Sequence, residues 1–449
     1  LSELACIILA AGKGTRMKSA LPKVLHRVAG RPMISHVVLN AAQIGADRIT
    51  IVVGPDMPEV AEAVKPHKVA IQHERNGTAD AVKAARAVLG EIDGDVLITY
   101  GDMPLIPAHA MQAMVEERRK TGAAIVVLGV TFENPPAFGR LVLGRDGTLE
   151  KIVEVLDASA DEKAIKLCNS GLMCVEGKHL WPLIEAVKNE NAKGEFYLTD
   201  IVALARARGL VARVVEGEPN DLLGVNSRTE LAVVEAEMQN RLRAKAMENG
   251  ATLIDPASVF FSMDTKIGRD VVIGPNVVFG QGVTIADHVE IHAFCHIEGA
   301  RVESGARIGP FARLRPGAAI GEDAHVGNFV EVKNATLGKG AKANHLSYIG
   351  DASIGAKANI GAGTITCNYD GFLKYRTVIG EGAFIGSNSA LVAPVSIGDG
   401  AIVGAGSVVV ADVPADAIAT ARGEQQVRER AAGPWKARKA AQKAAKTKG

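Results

Sequence analysis

The sequence is poor in rings: 11 Phe, 5 Tyr and 2 Trp amount to 4% of 449 residues. A core built mainly on aromatic packing is disfavoured, and the 48 glycines point instead to a repetitive β architecture. Cysteine is also scarce. Cys6, Cys168, Cys174, Cys295 and Cys367 are odd in number and contain no C-x-x-C pair, which argues against a disulfide framework and a structural zinc site. No apolar run reaches the roughly 18 residues of a membrane span. The start, Leu1-Ser2-Glu3-Leu4, has no basic segment and does not read as a secretory signal, and the missing initiator Met suggests trimming. The expected compartment is the cytoplasm. Charge of one sign is missing as well: 51 Lys and Arg stand against 50 Asp and Glu, so no global field favours nucleic acid or a bilayer. The basic, Ala-rich tail from about Arg422 is expected to be a solvated or partly helical terminus rather than a nucleic-acid arm.

What remains is a chain with 47% hydrophobic and 22% charged residues, too long for one ordinary core. Its two halves have different periods. Up to about residue 225, short aliphatic runs (Ala5–Ala10, Arg48–Val53, Asp95–Tyr100) end in Gly-containing loops and alternate with helical patterns at Met33–Ile44 and Thr78–Leu89. This predicts a parallel sheet covered by helices, with ligands at the carboxyl ends of its strands. From Ser227 to Gly250, Leu231, Val234, Met238 and Leu242 recur at helical spacing and predict a connecting helix.

Beyond it a six-residue period takes over: Ile267, Ile273, Phe279, Ile285, Ile291 and Ile297, then Val302, Ile308, Leu314, Ile320, Val326 and Val332. Segments from Leu337 to Ile360 and from Ile379 to Val403 continue it. Neither a helix nor simple alternation preserves such a register, so the second half is expected to be a parallel β-helix. The stretch Cys367–Thr377 breaks the register and is a candidate functional loop. The expected domains are 1–226, a linker helix at 227–250, and 251–449.

In the first half, Leu9-Ala10-Ala11-Gly12-Lys13-Gly14-Thr15-Arg16-Met17 follows the first strand. Small residues let backbone N–H groups approach a phosphate or base, and the basic ones neutralise charge. The run is neither a P-loop nor a full dinucleotide fingerprint. Extended by Leu21-Pro22-Lys23-Val24-Leu25, by Gln72 and Gly77-Thr78, and by Tyr100-Gly101-Asp102-Met103-Pro104-Leu105, it resembles the nucleotidyltransferases that make nucleoside-diphosphate sugars. Within that pattern Asp102 is expected to ligate Mg²⁺, and Arg16 and Lys23 to neutralise the triphosphate.

Together the halves resemble the family of bifunctional N-acetylglucosamine-1-phosphate uridylyltransferases/glucosamine-1-phosphate acetyltransferases. Phe138-Gly139-Arg140, Ile152-Val153-Glu154, Cys168-Asn169-Ser170-Gly171, Gly194–Asp200 and Gly224-Val225-Asn226 carry the match in the first half. The resemblance implies an α/β Rossmann-like domain, a connecting helix and a left-handed β-helix of hexapeptide repeats. It implies that Gln72, Gly77 and Thr78 read uracil, that Gly139, Glu154 and Asn169 hold the N-acetylglucosamine part, and that Asn226 joins Asp102 on Mg²⁺. One departure stands out: Gly77-Thr78 is followed by Ala79-Asp80-Ala81, where the family commonly has Gly-His-Ala.

In the second half the match rests on Pro310–Gly317, Gly327–Lys333, Asn344–Asp351, Asn359–Thr364 and Cys367-Asn368-Tyr369-Asp370-Gly371. It implies acetyl transfer from acetyl-CoA to the amine of glucosamine 1-phosphate. His345 is the candidate base, because imidazole exchanges protons near neutrality. His288, His292, His296 and His325 are expected to be structural. Arg315 and Lys333 would bind the sugar phosphate, and Tyr348 and Asn359 would orient the sugar. Ala362, Asn368, Tyr369, Ser387, Ala405 and Arg422 would contact acetyl-CoA. Direct attack needs no protein nucleophile, so Cys367 is expected to be packing or loop chemistry. Family members typically trimerise through the β-helix. The rivals are a single-activity nucleotidyltransferase whose β-helix does no chemistry and an inactive scaffold; the presence of Lys23, Asp102, His345 and the Asn368-Tyr369 loop argues against them.

Overall fold

The computed structural model describes residues 3–446; Leu1, Ser2 and residues 447–449, including part of the start and tail read above, lie outside the described residues. The chain divides into two compact units, Leu1–Glu248 with Phe260–Asp264, and Asn249–Val259 with Thr265–Gly449.

The first unit is built on a twisted sheet ordered Ala212–Glu216, Ile125–Thr131, Leu167–Glu176, Gly94–Tyr100, Glu3–Leu9, Arg48–Val53, Lys68–Ile71. Alternate residues of Glu3–Leu9 supply both faces. Ala5, Ile7 and Leu9 belong to one apolar cluster, and Leu4, Cys6 and Ile8 to the other. That two-sided burial explains why the strand reads as an uninterrupted aliphatic run. Its neighbours on either side, Arg48–Val53 and Gly94–Tyr100, are parallel to it, with Leu9 opposite Val52 and Tyr100. The ladder runs past the strand ends: Ala10 N–H donates to the Val52 carbonyl at 2.8 Å, and Gly101 N–H to that of Leu9 at 2.9 Å. The Gly-rich loop and the Gly101-Asp102 turn are thereby fixed at one edge.

Two expectations need correction. The sheet is mixed, because Leu167–Glu176 runs antiparallel to Gly94–Tyr100 and to Ile125–Thr131. A small hairpin, Arg140–Leu143 with Leu149–Val153, precedes it and reverses the chain. Burial on both faces makes this strand look like its parallel neighbours in sequence. The helix expected over Thr78–Leu89 is two pieces, Thr78–Ala84 and Arg86–Leu89. The later helix, Arg228–Glu248, packs on the first unit, burying Val234 and Met238 with Met17, Val28, Met33 and Leu105. Its Gln239 amide donates to the Phe261 carbonyl (2.7 Å) and accepts from the Phe261 N–H (2.8 Å), tying residues 260–264 to the same unit.

The second unit is a left-handed parallel β-helix whose three sides are sheets of ten, eight and eight short strands. Equivalent inward residues stack coil on coil: Ile285 on Val302, then Ile320, Leu337 and Ile354, at steps of 17 or 18 residues. Ile354 to Ile379 is a step of 25, and Ile397 then resumes the register. The extra length is the loop after Cys367. Each of these stacked side chains is at most 3% exposed, and burying one contributes about 1.5–3 kcal/mol.

One corner column is unusual. Phe294, Phe311, Phe329 and Leu346 all have left-handed backbone (φ 51–62°), which bulky side chains rarely adopt. Phe311 stacks on Phe294 at 4.9 Å and on Phe329 at 5.0 Å, matching the coil rise of about 4.8 Å. In the next coils the same corner is Gly363, Asn388 and Gly406. The column changes from bulky to smaller residues one coil after Leu346, at Gly363. Among the described residues, no helix is long and apolar enough to cross a membrane. The tail carries a helix, Ala432–Lys446.

Candidate active sites

Two adjoining cavities open at the carboxyl edge of the first unit's sheet, and Tyr100 and Asp102 line both. The first, about 320 Å³, is bounded by Leu9–Gly12, Lys23, Gln72, Gly77 and Thr78. The second, about 510 Å³, is bounded by Gly139, Glu154, Asn169 and Asn226.

At the shared wall, the Lys23 ammonium pairs with the Asp102 carboxylate and also donates to Asn226 Oδ1 at 3.1 Å. Lys23 follows the Gly-rich loop in a short 3₁₀ turn, Lys23–Leu25. The Val225 N–H donates to the Asp102 carbonyl at 3.0 Å, and the Asn226 N–H to Glu230 at 2.6 Å, so the last segment is fixed against the strand edge. Asp102 and Asn226 thus turn two oxygen donors toward one cation. These hard, sparse donors fit Mg²⁺, which takes its other ligands from phosphates and water. No array of three or more His, Cys, Asp or Glu that could hold a metal occurs among the described residues.

In the first cavity, Gly77 is required by geometry. Its φ is +122°, and a Cβ there would sit 2.5 Å from the Phe196 carbonyl oxygen. The Gly194–Asp200 run is what presses against it: Phe196 N–H bonds the Asn76 carbonyl at 2.7 Å, and Leu198 N–H the Thr78 hydroxyl at 2.9 Å. In the second cavity, Gly171 has φ +91° and lies against the Tyr100 ring, where a Cβ would come within 2.6 Å. Its N–H donates to Asn169 Oδ1 at 3.0 Å. Burial pushes the Glu154 carboxyl upward, partly offset by the Thr199 hydroxyl at 3.4 Å. Burial, together with Asp102 and Glu154, likewise raises the Tyr100 phenol, which stays protonated. Lys23 lines the first cavity, whereas Arg16 is exposed and lines neither.

In the second unit, His345 and Tyr348 flank one corner of the β-helix. His345 stacks on Asn328 of the preceding coil, and its Nδ1–H donates to Asn328 Oδ1 at 2.6 Å. That bond fixes the tautomer with the lone pair on Nε2, facing away from Asn328. Asn328 was not among the site residues expected from sequence, although it lies in the matched run Gly327–Lys333. The signal was present: it precedes His345 by 17 residues, one coil.

On the adjoining side, Arg315 bonds Glu331 at 2.7 Å, and Glu331 stacks under Tyr348. Lys374, chiefly, and Arg315 lower the pKa of Lys333 by repulsion. Arg315, Lys333 and Lys374 thus concentrate positive charge here, offset in part by Glu331 and Asp351. Lys374 was also missed, because it lies in the register-breaking loop, where no repeat predicts its position. The loop is a small hairpin: Asp370 accepts from the Phe372 and Leu373 N–H groups at 2.8 and 2.7 Å, and Tyr375 N–H bonds the Asn368 carbonyl at 2.9 Å. Asn368 is pinned to Asp351, and the Tyr369 hydroxyl to the Gly371 carbonyl. Burial pushes Asp351 up, but bonds from Asn334 and Asn368, with Lys374 and Lys333 nearby, hold it below the usual carboxylate range.

Ala362, Ser387, Ala405 and Arg422 follow His345 down the slim corner. The His345 carbonyl accepts from Gly363 N–H, Ala362 from Asn388, and Ser387 from Gly406, and Arg422 closes on the Ala405 carbonyl at 2.7 Å. Four coils give this edge a length of about 19 Å. Asn359 stands apart: it stacks on Lys342, at the opposite end of the strand from His345.

Comparison with known proteins agrees with this division. The MobA-like NTP transferase domain family matches residues 6–192. The bacterial transferase hexapeptide family (six repeats) matches 264–299, 299–334 and 376–411. A protein of Paramagnetospirillum magneticum named bifunctional protein GlmU is 59% identical, over 99% of this chain and 99% of its own. Proteins of the same name from Rhodospirillum rubrum and Rhizorhabdus wittichii are 60% and 63% identical, over 95% and 94% of this chain and 96% and 94% of theirs. With such identity along nearly the whole of both chains, this chain belongs to the GlmU family of bifunctional proteins.

Proposed function

We propose that the chain carries out two consecutive steps: acetylation of glucosamine 1-phosphate by acetyl-CoA, then transfer of UMP from UTP to the resulting N-acetylglucosamine 1-phosphate. The observation that carries the second step is the shared wall of the two cavities. A nucleotide along the Gly-rich loop and a sugar beside Glu154 and Asn169 bring their phosphates together at Lys23, Asp102 and Asn226. The sugar-phosphate oxygen attacks the α-phosphorus, the new P–O bond forms as the α–β bond breaks, and pyrophosphate leaves. Asp102 and Asn226 would hold Mg²⁺, which supplies charge neutralisation and in-line clamping of the phosphates. Lys23 adds a fixed positive charge, and Gln72, Gly77 and Thr78 read the base.

For the first step, Arg315, Lys333 and Lys374 hold the sugar phosphate, and the slim edge from Ala362 to Arg422 receives the extended arm of acetyl-CoA, with Asn368 and Tyr369 beside the thioester. The substrate amine attacks the carbonyl, His345 Nε2 takes its proton, and the departing CoA thiolate recovers one. Asn328 keeps Nε2 in its accepting state. Asn328→Ala is expected to lower kcat for acetyl transfer about ten- to a hundredfold with little change in KM for acetyl-CoA, measured by thiol release. Lys374→Ala is expected to raise KM for glucosamine 1-phosphate about tenfold, since one charge-assisted bond is lost. Added salt is expected to weaken binding less in this variant than in the wild type.

The isolation of Asn359 from the cation cluster, the flat sides of the β-helix and the exposed Phe311 and Phe329 support assembly as a homotrimer in which neighbouring chains complete each acetyltransferase site. We place the protein in the cytoplasm, where UTP and acetyl-CoA are made. The test of the whole reading is one tube holding glucosamine 1-phosphate, acetyl-CoA, UTP and Mg²⁺, with products read by mass. UDP-N-acetylglucosamine is expected; UDP-sugar formed only when N-acetylglucosamine 1-phosphate is supplied contradicts the acetylation step.

A further inference from the structure

One of the two residues at which this chain departs from its family's pattern, Asp80, has a partner in the first cavity. Asp80 lies in the first turn of the helix Thr78–Ala84, and its carboxylate accepts from Gln72 Nε2 at 2.7 Å. The same nitrogen donates to the Gly77 carbonyl at 3.1 Å. Gln72 is 5% exposed and follows the strand Lys68–Ile71, its own N–H held by the Val53 carbonyl at 2.8 Å. A primary amide has one end that only donates and one that only accepts. Both groups facing this end, a carbonyl and a carboxylate, are acceptors. The nitrogen must therefore point at them, and Oε1 is turned the other way on a residue that lines the cavity. A flipped Gln72 would set its oxygen against two others and leave a buried polar end unsatisfied, which is costly.

We propose that Asp80 is a positioning residue that locks the Gln72 amide with its oxygen toward the base, so that the cavity accepts the N3–H of uracil and rejects the N3 lone pair of cytosine. The assignment rests on the uridylyltransferase reading above. A histidine at this position presents a donor or an acceptor according to its tautomer, whereas an ionised carboxylate only accepts, so this chain holds the amide in one sense.

The test compares kcat/KM for UTP and CTP, with N-acetylglucosamine 1-phosphate and Mg²⁺, in wild type, Asp80→Ala and Asp80→Asn. Asp80→Ala is expected to cut the UTP-over-CTP preference about tenfold, mainly through KM for UTP, with kcat at saturating UTP changed less than about threefold. Asp80→Asn keeps an acceptor and is expected to retain most of the preference. Thermal melts and thiol release by the β-helix unit report folding, and Asp80→Ser replaces Asp80→Ala if the latter melts below assay temperature. Equal losses with both nucleotides, or an unchanged preference in a variant that still uses UTP, overturn the role of Asp80 alone. Wild-type protein that turns over no UTP overturns the base-reading assignment, and the proposal with it.

Discussion

His345→Ala is expected to lower acetyl transfer by about 10²–10⁴-fold while leaving UTP-dependent pyrophosphate release within about twofold of wild type. The size follows from what the side chain does. An amine that attacks a thioester must lose a proton, and in the proposed step the acceptor is the Nε2 lone pair, aimed by the 2.6 Å bond from Nδ1–H to Asn328. His345 is exposed, so its removal opens no cavity and the β-helix stays folded. Thiol release with acetyl-CoA and glucosamine 1-phosphate measures the loss. Retention of more than about a tenth of wild-type kcat would assign the proton to another group.

Asp102→Ala is expected to act in the opposite sense, reducing pyrophosphate release by on the order of 10³-fold with thiol release unchanged. The carboxylate faces Lys23 and Asn226 at the wall common to both cavities, so its loss removes the anionic oxygen donor from the cation site and leaves the Lys23 charge with only an amide oxygen. A direct readout accompanies the kinetics: Mg²⁺ titration in the presence of a non-hydrolysable UTP analogue should show affinity weakened at least tenfold. Asp102→Asn, which keeps one oxygen, should fall between. An Asp102→Ala variant with wild-type turnover would move the metal elsewhere.

Periodicity in the sequence reveals the β-helix almost completely, because each coil repeats one requirement: an aliphatic residue pointing inward every six positions. The strands of the first unit were legible for a similar reason, though not their directions. Leu167–Glu176 is buried on both faces like its parallel neighbours, and nothing in its composition records that the hairpin before it turns the chain round. Site residues were legible where a motif held them together, as in Leu9–Gly12 or Asn344–Asp351. The convergence of Lys23 with Asp102 and Asn226, 79 and 203 residues away, came only through resemblance. Asn328 and Lys374 escaped for different reasons. Asn328 meets His345 only because the two stack one coil apart, and Lys374 is placed by a loop that breaks the repeat. Asp80 was visible as a departure, but its meaning depends on the amide it faces.

The central claim is that one chain holds two chemically independent centres, and a paired assay on one purified preparation tests it most directly. One tube contains glucosamine 1-phosphate and acetyl-CoA and is read as free thiol. The other contains N-acetylglucosamine 1-phosphate, UTP and Mg²⁺ and is read as pyrophosphate. The account predicts turnover in both, with His345→Ala silencing only the first and Asp102→Ala only the second. Pyrophosphate without thiol, or both signals lost together in either folded variant, would contradict it.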